Sequence, residues 1–225
     1  KVKTLNDAAE ELWLIGDYSK STTYAQKALD VAKKVKDKKG EAMALNNLGI
    51  ICDYQGKYAS ALDYYFKALT IQKAINYKAG LSFTYNNIGL IYSNQHNFKK
   101  ALENYNLALE LLKKDNDLQG LASTYNNIGI IHMNQKKYEL ALEDYFASLK
   151  IDSLLKDPIG ISTSLSNIAI VYMDSKEYEK ALDFFNKGLK LRIELNDQHG
   201  IANSYNNLST VYEKMGDFQK GIEYA

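Results

Sequence analysis

Apolar residues recur along this chain at the three- and four-residue spacing of one helix face, and short polar breaks interrupt the pattern at regular intervals. Residues 46–85 read NNLGIICDYQGKYASALDYYFKALTIQKAINYKAGLSFTY. The break YQGKY separates two amphipathic stretches, which predicts two helices joined by a tight turn. We expect the first helix at about residues 37–54 and the second at about residues 57–75, so that each unit of the pattern is a helical hairpin.

The hairpin pattern returns every forty residues. Segments equivalent to NNLGIIC at Asn46 begin at Asn86, Asn126, Ser166 and Asn206, with no insertion or deletion between them. A fixed internal period predicts stacked structural repeats rather than separate globular domains. We therefore expect a single all-α array over residues 1–225, with repeats at approximately 1–36, 37–76, 77–116, 117–156, 157–196 and 197–225, the last of them truncated.

The predicted first helices begin at a recurring aspartate, whose short carboxylate can accept hydrogen bonds from the free amides of the first turn. These residues are Asp37, Asp117, Asp157 and Asp197, whereas Tyr77 breaks the pattern. Glycines follow three residues later, at positions 40, 80, 120, 160 and 200. Because a glycine inside a helix costs about 1 kcal/mol relative to alanine, we expect a neighbouring helix to pass close to the backbone at these positions.

The predicted second helices carry a small residue followed, four positions later, by a ring. These pairs are Ala61 with Tyr65, Ala101 with Tyr105, Ala141 with Tyr145, and Ala181 with Phe185. Residues four apart lie on the same helix face. We expect this face to pack closely on the first helix of the same hairpin.

Composition and motifs argue against several classes of function. The formal net charge is +1, which favours neither nucleic acid nor an anionic membrane. The three histidines, His96, His132 and His199, fall in different repeats, and the single cysteine, Cys52, occupies a packing position. No phosphate loop, zinc motif or nucleophile motif is present in the sequence. We therefore expect a protein that is not an enzyme, with no catalytic residues, no metal site and no cofactor.

The order of residues within one repeat resembles the tetratricopeptide repeat. In the repeat that starts at residue 77, the matching positions are Tyr85, Ile88, Gly89, Tyr92, Phe98, Ala101, Tyr105 and Ala108. The forty-residue period is similar to the variant in kinesin light chains, in peptide-responsive bacterial Rap regulators and in some bacterial sensor histidine kinases. This resemblance implies a right-handed superhelical solenoid of antiparallel helix pairs, with the first helix of each pair lining a concave face. Departures from the pattern include Cys52 and His132 in the tyrosine position.

On that implied concave face, forty-residue spacing aligns equivalent side chains into rows. One row holds Asn47, Asn87, Asn127, Asn167 and Asn207, and an aliphatic row beside it holds Ile50, Leu90, Ile130 and Ile170, with Phe83 nearby. In related repeats the asparagine of the first row contacts peptide ligands, and an amide side chain offers both a donor and an acceptor to an extended backbone. The alternative is that these amides bond to neighbouring helices and only brace the array.

A third row, Asn46, Asn86, Asn126, Ser166 and Asn206, fits the bracing role better. A carboxylate-clamp site for chaperone tails would need basic residues on this face, but Met43 and Ser123 stand where they are expected. Acidic residues such as Asp53, Asp174 and Glu213 argue against RNA as a ligand.

The sequence thus favours a non-catalytic scaffold whose concave groove binds a peptide or a helix of a partner protein. The alternative is a sensory or regulatory region of a larger bacterial signalling protein, such as a histidine kinase or a transcription regulator. The chain begins at Lys1 without methionine and stops inside a repeat, so we expect a fragment, with a fused output domain possible beyond Ala225. We expect no contact with nucleic acid and no direct membrane contact by this fragment; the cytoplasm is favoured, and the periplasm is the alternative.

Overall fold

The computed structural model describes residues 1–224, and every regular element in this part of the chain is an α-helix. The helices are α1 (Val2–Leu14), α2 (Tyr18–Lys34), α3 (Lys38–Tyr54), α4 (Tyr58–Ala74), α5 (Lys78–Asn94), α6 (Phe98–Asp115), α7 (Leu118–Asn134), α8 (Tyr138–Leu155), α9 (Pro158–Asp174), α10 (Tyr178–Glu194), α11 (Gln198–Met215) and α12 (Phe218–Tyr224). The predicted bounds of 37–54 and 57–75 agree with α3 and α4 to within one residue at each end.

Each helix is followed by a tight reversal of the backbone. After α2, the amide of Asp37 donates to the carbonyl of Ala32 at 2.9 Å, which is the long bond of a Schellman motif. The residue between them in the turn, Lys36, adopts a left-handed conformation with φ of 57°. Connections of two or three residues that turn in this way fold consecutive helices back on each other.

The predicted aspartate caps are confirmed. The carboxylates of Asp37, Asp117 and Asp197 each accept a hydrogen bond from the amide three residues later, at 2.9 Å. Asp157 accepts instead from the amide of Ile159 at 3.1 Å, because Pro158 occupies the first helical position. Tyr77 forms no side-chain cap, as the sequence indicates.

The glycines that follow these caps have a different reason from the expected one. A Cβ on Gly160 would lie 2.7 Å from the carboxyl of Asp152 and 2.9 Å from the cap residue Asp157. A Cβ on Gly80 would lie 2.9 Å from the amide nitrogen of Gln72. Side chains from the last turn of the preceding second helix, together with the cap itself, fill this space, so it is not the backbone of a neighbouring helix that requires glycine.

The helices form two compact units, Lys1–Asn116 with α1–α6 and Asp117–Ala225 with α7–α12. In the first unit, the core joins small residues such as Ala25 and Ala44 to aliphatic ones such as Leu48 and Ile88. In the second unit, two clusters of buried residues include Ala141, Tyr145, Ile168, Ala169, Val171, Ala181, Phe185, Leu189, Leu208 and Val211. None of the helices in residues 1–224 combines the length and the apolar character that crossing a bilayer requires.

In three hairpins, α3/α4, α5/α6 and α7/α8, a tyrosine ring of the second helix lies directly against a glycine of the first. Tyr65, Tyr105 and Tyr145 are 0%, 1% and 3% exposed. A Cβ on Gly89 would lie 2.7 Å from the ring of Tyr105, and a Cβ on Gly129 the same distance from that of Tyr145. The predicted packing of the second helix on the first is therefore confirmed, and its tightest point is this contact between ring and backbone.

We predict that Gly89→Ala destabilises the protein. The added methyl group overlaps the buried Tyr105 ring, and overpacking of this kind costs about 1–3 kcal/mol, which exceeds the gain of about 1 kcal/mol in helix propensity. The free energy of unfolding from urea titration measures the net loss.

Gly188→Ala is the matched control, because it adds the same methyl group inside α10 where the nearest atom, Ser166 Oγ, is 3.5 Å away. This variant should gain stability from helix propensity. Equal effects of the two substitutions would contradict the role assigned to the ring.

Candidate functional site

The first helices of the first unit, α1, α3 and α5, line a groove made of three adjoining cavities. Their volumes are about 410, 250 and 300 Å³. Trp13 and Phe83 line both the first and the second cavity, and Met43 and Tyr77 line both the second and the third. The cavities therefore adjoin one another, and we call them together the α1/α3/α5 groove.

The largest cavity of this groove has apolar and aromatic walls. Phe83 and Leu90 are 48% and 38% exposed, as a binding surface needs, whereas Ile50 is only 8% exposed and contributes mainly to the core. Along one wall, the rings of Trp13 and Tyr54 stack with their centroids 5.5 Å apart. The Tyr54 ring also stacks on that of Tyr18, with a centroid distance of 5.7 Å.

Trp13 belongs to this site although it was not among the site residues predicted from the sequence. The first repeat is degenerate, so its residues align poorly with the rows. Position 13 is nevertheless forty residues before Asp53, a residue that the sequence placed on the concave face, and this register was the available signal.

Three buried polar atoms in the largest cavity have no hydrogen-bond partner among residues 1–224. They are Trp13 Nε1, the Tyr65 hydroxyl and Asn87 Nδ2. Each such group costs about 1–3 kcal/mol of stability when left unsatisfied. Because unsatisfied buried groups are rare in folded proteins, three of them on side chains that line one cavity make this cavity the candidate binding site.

A carboxylate in the same cavity is also without a partner. Asp53 is half-buried, and within residues 1–224 no ion pair or hydrogen bond engages its side chain. Burial raises the pKa of this carboxyl. The other acidic residue of the lining, Glu10, is exposed at the rim.

The asparagines of the row that the sequence predicted for peptide contact have different surroundings. Asn47 is 8% exposed, and its Nδ2 donates to the backbone oxygen of Asn6 at 3.2 Å. Asn167 Nδ2 donates to Asn126 Oδ1 at 2.7 Å. These two amides brace neighbouring first helices, α1 with α3 and α7 with α9.

Asn87 lacks this brace. Its equivalent partner would be Asn46, forty-one residues earlier, whose amide oxygen lies 2.9 Å from the hydroxyl of Thr84; the single proton of that hydroxyl can go to Asn46, to Gln72 Oε1 at 3.0 Å or to the Gly80 carbonyl at 2.9 Å. In the second unit the equivalent hydroxyl, that of Ser164, donates to Asp152 at 3.1 Å instead. The two units therefore differ in two ways. The first has Gln72 where the second has Asp152, and the asparagines near these residues form different hydrogen bonds.

The second unit has its own cavity of about 330 Å³ beside α7 and α9, lined in part by Asn127 and Ser123. Among the other residues of the predicted site, Ile130 is 38% exposed, while Ile170 and Asn207 are half-buried. The cavity also reaches Asp152, which is 3% exposed and accepts from Ser148 at 3.3 Å. Burial raises the pKa of the Asp152 carboxyl.

One polar pair has no counterpart in the other repeats. His132 Nδ1 lies 2.7 Å from Asp144 Oδ2, and both side chains are largely buried. The sequence placed His132 correctly at a packing position but gave no sign of this bond between α7 and α8. Within residues 1–224, no group of three histidine, cysteine, aspartate or glutamate side chains is arranged to hold a metal ion.

Sequence comparison identifies the repeat. The profile of the tetratricopeptide repeat matches residues 2–74 and 160–225, and a second profile of the same repeat matches residues 82–115 and 122–153. The chain therefore belongs to the tetratricopeptide repeat family. The fold class expected from the sequence, an all-α solenoid of paired helices, is confirmed. No curated protein sequence matches the chain at a significant level.

Several solved structures are similar to this chain. BtubC (BKLC) from P. vanneervenii has a TM-score of 0.81 at 19% identity, with 92% of this chain and 88% of that one covered. NprR, solved in complex with its cognate peptide NprX, has a TM-score of 0.68 at 20% identity, with coverage of 99% and 64%. A signal transduction ATPase with a tetratricopeptide repeat sensor, from Pyrococcus horikoshii, has a TM-score of 0.79 at 18% identity, with coverage of 100% and 35%. At these identities the similarity concerns the fold, and this chain spans only part of the two longer proteins.

We predict that Asp152→Asn stabilises the protein at pH 7. Burial raises the folded-state pKa of this carboxyl above its ordinary value of 3.8, so the ionised form weakens the native state at neutral pH. The gain should shrink as the pH falls through the raised pKa and should vanish below about 3.8, where the carboxyl is protonated in both states. Thermal unfolding midpoints at a series of pH values measure the effect.

The control is Asp183→Asn, which removes an exposed carboxylate of α10 that pairs with Lys187. This substitution should not stabilise the protein at pH 7. A gain for Asp152→Asn that stayed constant between pH 7 and pH 3 would show that ionisation is not its cause.

Proposed function

We propose that this chain is a non-catalytic scaffold that binds an extended peptide segment of a partner protein in the α1/α3/α5 groove. The observation that carries the proposal is the unsatisfied Nδ2 of Asn87, which is buried in the wall of the largest cavity. An asparagine amide at this position is suited to donate to a backbone carbonyl of the ligand.

The surroundings of Asn87 suit a peptide better than a compact small molecule. The groove continues from the largest cavity through two more, so a ligand of several residues fits along it. Exposed Phe83 and Leu90 offer apolar contacts on either side of the amide. This combination of a main-chain hydrogen bond and side-chain pockets is the usual basis of peptide recognition. NprR, which is similar in fold, was solved with its cognate peptide, and this supports the same class of ligand here.

The polar groups most often used in catalysis are engaged elsewhere in this chain. Burial raises the pKa of the Cys52 thiol, which is opposite to the shift that activates a nucleophile. The ring of His132 is held by Asp144. We propose no cofactor, no metal and no nucleic acid as a partner.

The remaining residues of the predicted row have separate proposed roles. Asn127 and Ile130 are proposed as a further contact surface for the partner in the second unit, because Asn127 lines a cavity and Ile130 is exposed. Asn207 and Ile170 are proposed to contribute there less, since both are half-buried. Asn47 and Asn167 are proposed to brace the helices.

We predict that Asn87→Ala weakens peptide binding about three- to tenfold, the effect of losing one net hydrogen bond. The probes are peptides selected from a random library for binding to the unmodified protein, and isothermal titration calorimetry gives the dissociation constants. Stability should not fall through a lost internal bond, because Asn87 Nδ2 donates none in the free protein.

Asn104→Ala is the matched control, since Asn104 lies on α6, is not among the residues that line the groove, and its amide nitrogen donates to the Lys100 carbonyl within its own helix. This variant should bind the selected peptides as the unmodified protein does. Unchanged affinity in Asn87→Ala would exclude the α1/α3/α5 groove as the binding site.

A second candidate function is the sensory or regulatory region of a larger signalling protein. It is favoured by the comparison with the signal transduction ATPase, of which this chain spans 35% and whose repeats are described as a sensor. Peptide binding in the groove would then be the signal that the region receives.

This candidate predicts that the coding sequence continues past Ala225 into an output domain, such as a kinase or a DNA-binding domain. Sequencing the genomic locus checks it directly. A stop codon that follows the last repeat would rule out a downstream fusion.

A further inference from the structure

The largest cavity of the α1/α3/α5 groove combines negative charge with aromatic walls. Asp53 and Glu10 supply the two carboxylates, and the rings come mainly from Trp13, Tyr54 and Tyr58. No lysine, arginine or histidine is among the residues that line it. Lys57, the lysine closest to Asp53 along the sequence, donates a hydrogen bond to the side-chain oxygen of Gln55 at 2.8 Å.

The unpaired carboxylate of Asp53 is unfavourable in the free protein. Taking an ionised carboxylate partly out of water without a compensating partner costs stability, and burial raises its pKa accordingly. Burial raises the pKa of the neighbouring Tyr65 hydroxyl, and the charge of Asp53 adds to this shift. Groups that a protein keeps in such a position at a cost are commonly part of a binding site.

Three classes of peptide side chain are compatible with the size of this cavity, and the charges distinguish them. An apolar side chain would cover Asp53 and leave it buried without a partner, which increases the cost already present. An acidic side chain would bring a third negative charge next to Asp53 and Glu10. A basic side chain would neutralise Asp53, and its charged end would lie against ring faces that attract cations.

The unsatisfied donors fit this arrangement. Trp13 Nε1 and Asn87 Nδ2 can only donate hydrogen bonds, so they cannot be satisfied by a lysine or arginine side chain. The backbone carbonyls on either side of that side chain are acceptors and can satisfy both.

We infer that the cavity bounded by Trp13, Asp53 and Asn87 is a specificity pocket for a lysine or arginine side chain of the bound peptide. This inference rests on the proposed function and adds the class of residue that the groove selects. Asp53 supplies the ion pair, the rings hold the aliphatic stem and the charged end, and Asn87 and Trp13 hold the flanking backbone.

The pocket can be tested with small probes, because Trp13 is the only tryptophan of the chain and forms part of its wall. The probes are N-acetyl-arginine amide and N-acetyl-lysine amide, compared with N-acetyl-norleucine amide and N-acetyl-glutamate amide. Tryptophan fluorescence should change in a saturable way with the two basic probes. Their affinity should exceed that of the norleucine and glutamate probes at least tenfold.

Asp53→Asn should abolish this preference, so that the arginine and norleucine probes bind within about twofold of each other. The same substitution should raise the thermal unfolding midpoint of the free protein at pH 7, because it removes a carboxylate whose pKa burial raises. A gain in stability together with a loss of selectivity excludes misfolding as the cause. Asp63→Asn is the control, since this exposed carboxylate of α4 pairs with Lys67 outside the pocket and should leave the preference intact.

Two results would overturn the inference: equal or tighter binding of the norleucine probe to the unmodified protein, or an unchanged preference for arginine in Asp53→Asn. Neither would affect the proposed function if library-selected peptides still lose affinity in Asn87→Ala. Failure to select any peptide, together with a confirmed preference for the basic probes, would reject the peptide scaffold and leave the pocket as a site for small cations.

Discussion

In three of the hairpins, a tyrosine of the second helix packs on a glycine of the first, and this contact sets the close approach of the two helices on which the rest of the structure depends. Tyr105 can reach the backbone at Gly89 only because no side chain stands between them, and this brings the two helices of the hairpin close together. The short left-handed turns leave no other way to connect them. With hairpins of one shape and one length, equivalent residues of successive first helices come to lie beside one another, as the bonds from Asn47 to Asn6 and from Asn167 to Asn126 show.

The repeats share this geometry, but they differ in the polar side chain that enters each helix interface. Position 72 is glutamine, and the equivalent positions 112, 152 and 192 are leucine, aspartate and arginine. Around Gln72, the hydroxyl of Thr84 lies within hydrogen-bond distance of Asn46, Gln72 and the Gly80 carbonyl, and the amide nitrogen of Asn87 has no partner among residues 1–224. Around Asp152, the equivalent hydroxyl bonds to the carboxylate, and the asparagine pair remains closed. Differences inside the interface therefore accompany differences in which asparagine amide has a hydrogen-bond partner.

This has a consequence for function, because a repeated row need not be a repeated binding site. In the first unit the free amide lies beside an unpaired carboxylate and the ring stack of Trp13 and Tyr54, so several unsatisfied groups share one cavity. In the second unit, Asp152 is bonded to serines within its own interface. The stability that the chain loses at the unsatisfied groups of the first unit is the kind of loss that a ligand can restore.

The sequence by itself determined the helices, their pairing and the positions of Tyr65, Tyr105 and the aspartate caps, because these depend on local periodicity and on contacts that recur in most repeats. It also predicted Asn87 and Leu90 as residues of the binding face, and both line the largest cavity of the groove. It did not separate Asn87 from Asn47 and Asn167, and it missed Trp13 and the bond between His132 and Asp144. Those distinctions were decided only by the tertiary structure, because a hydrogen bond depends on which neighbour a side chain meets across an interface, and a periodic sequence gives equivalent positions the same expected environment.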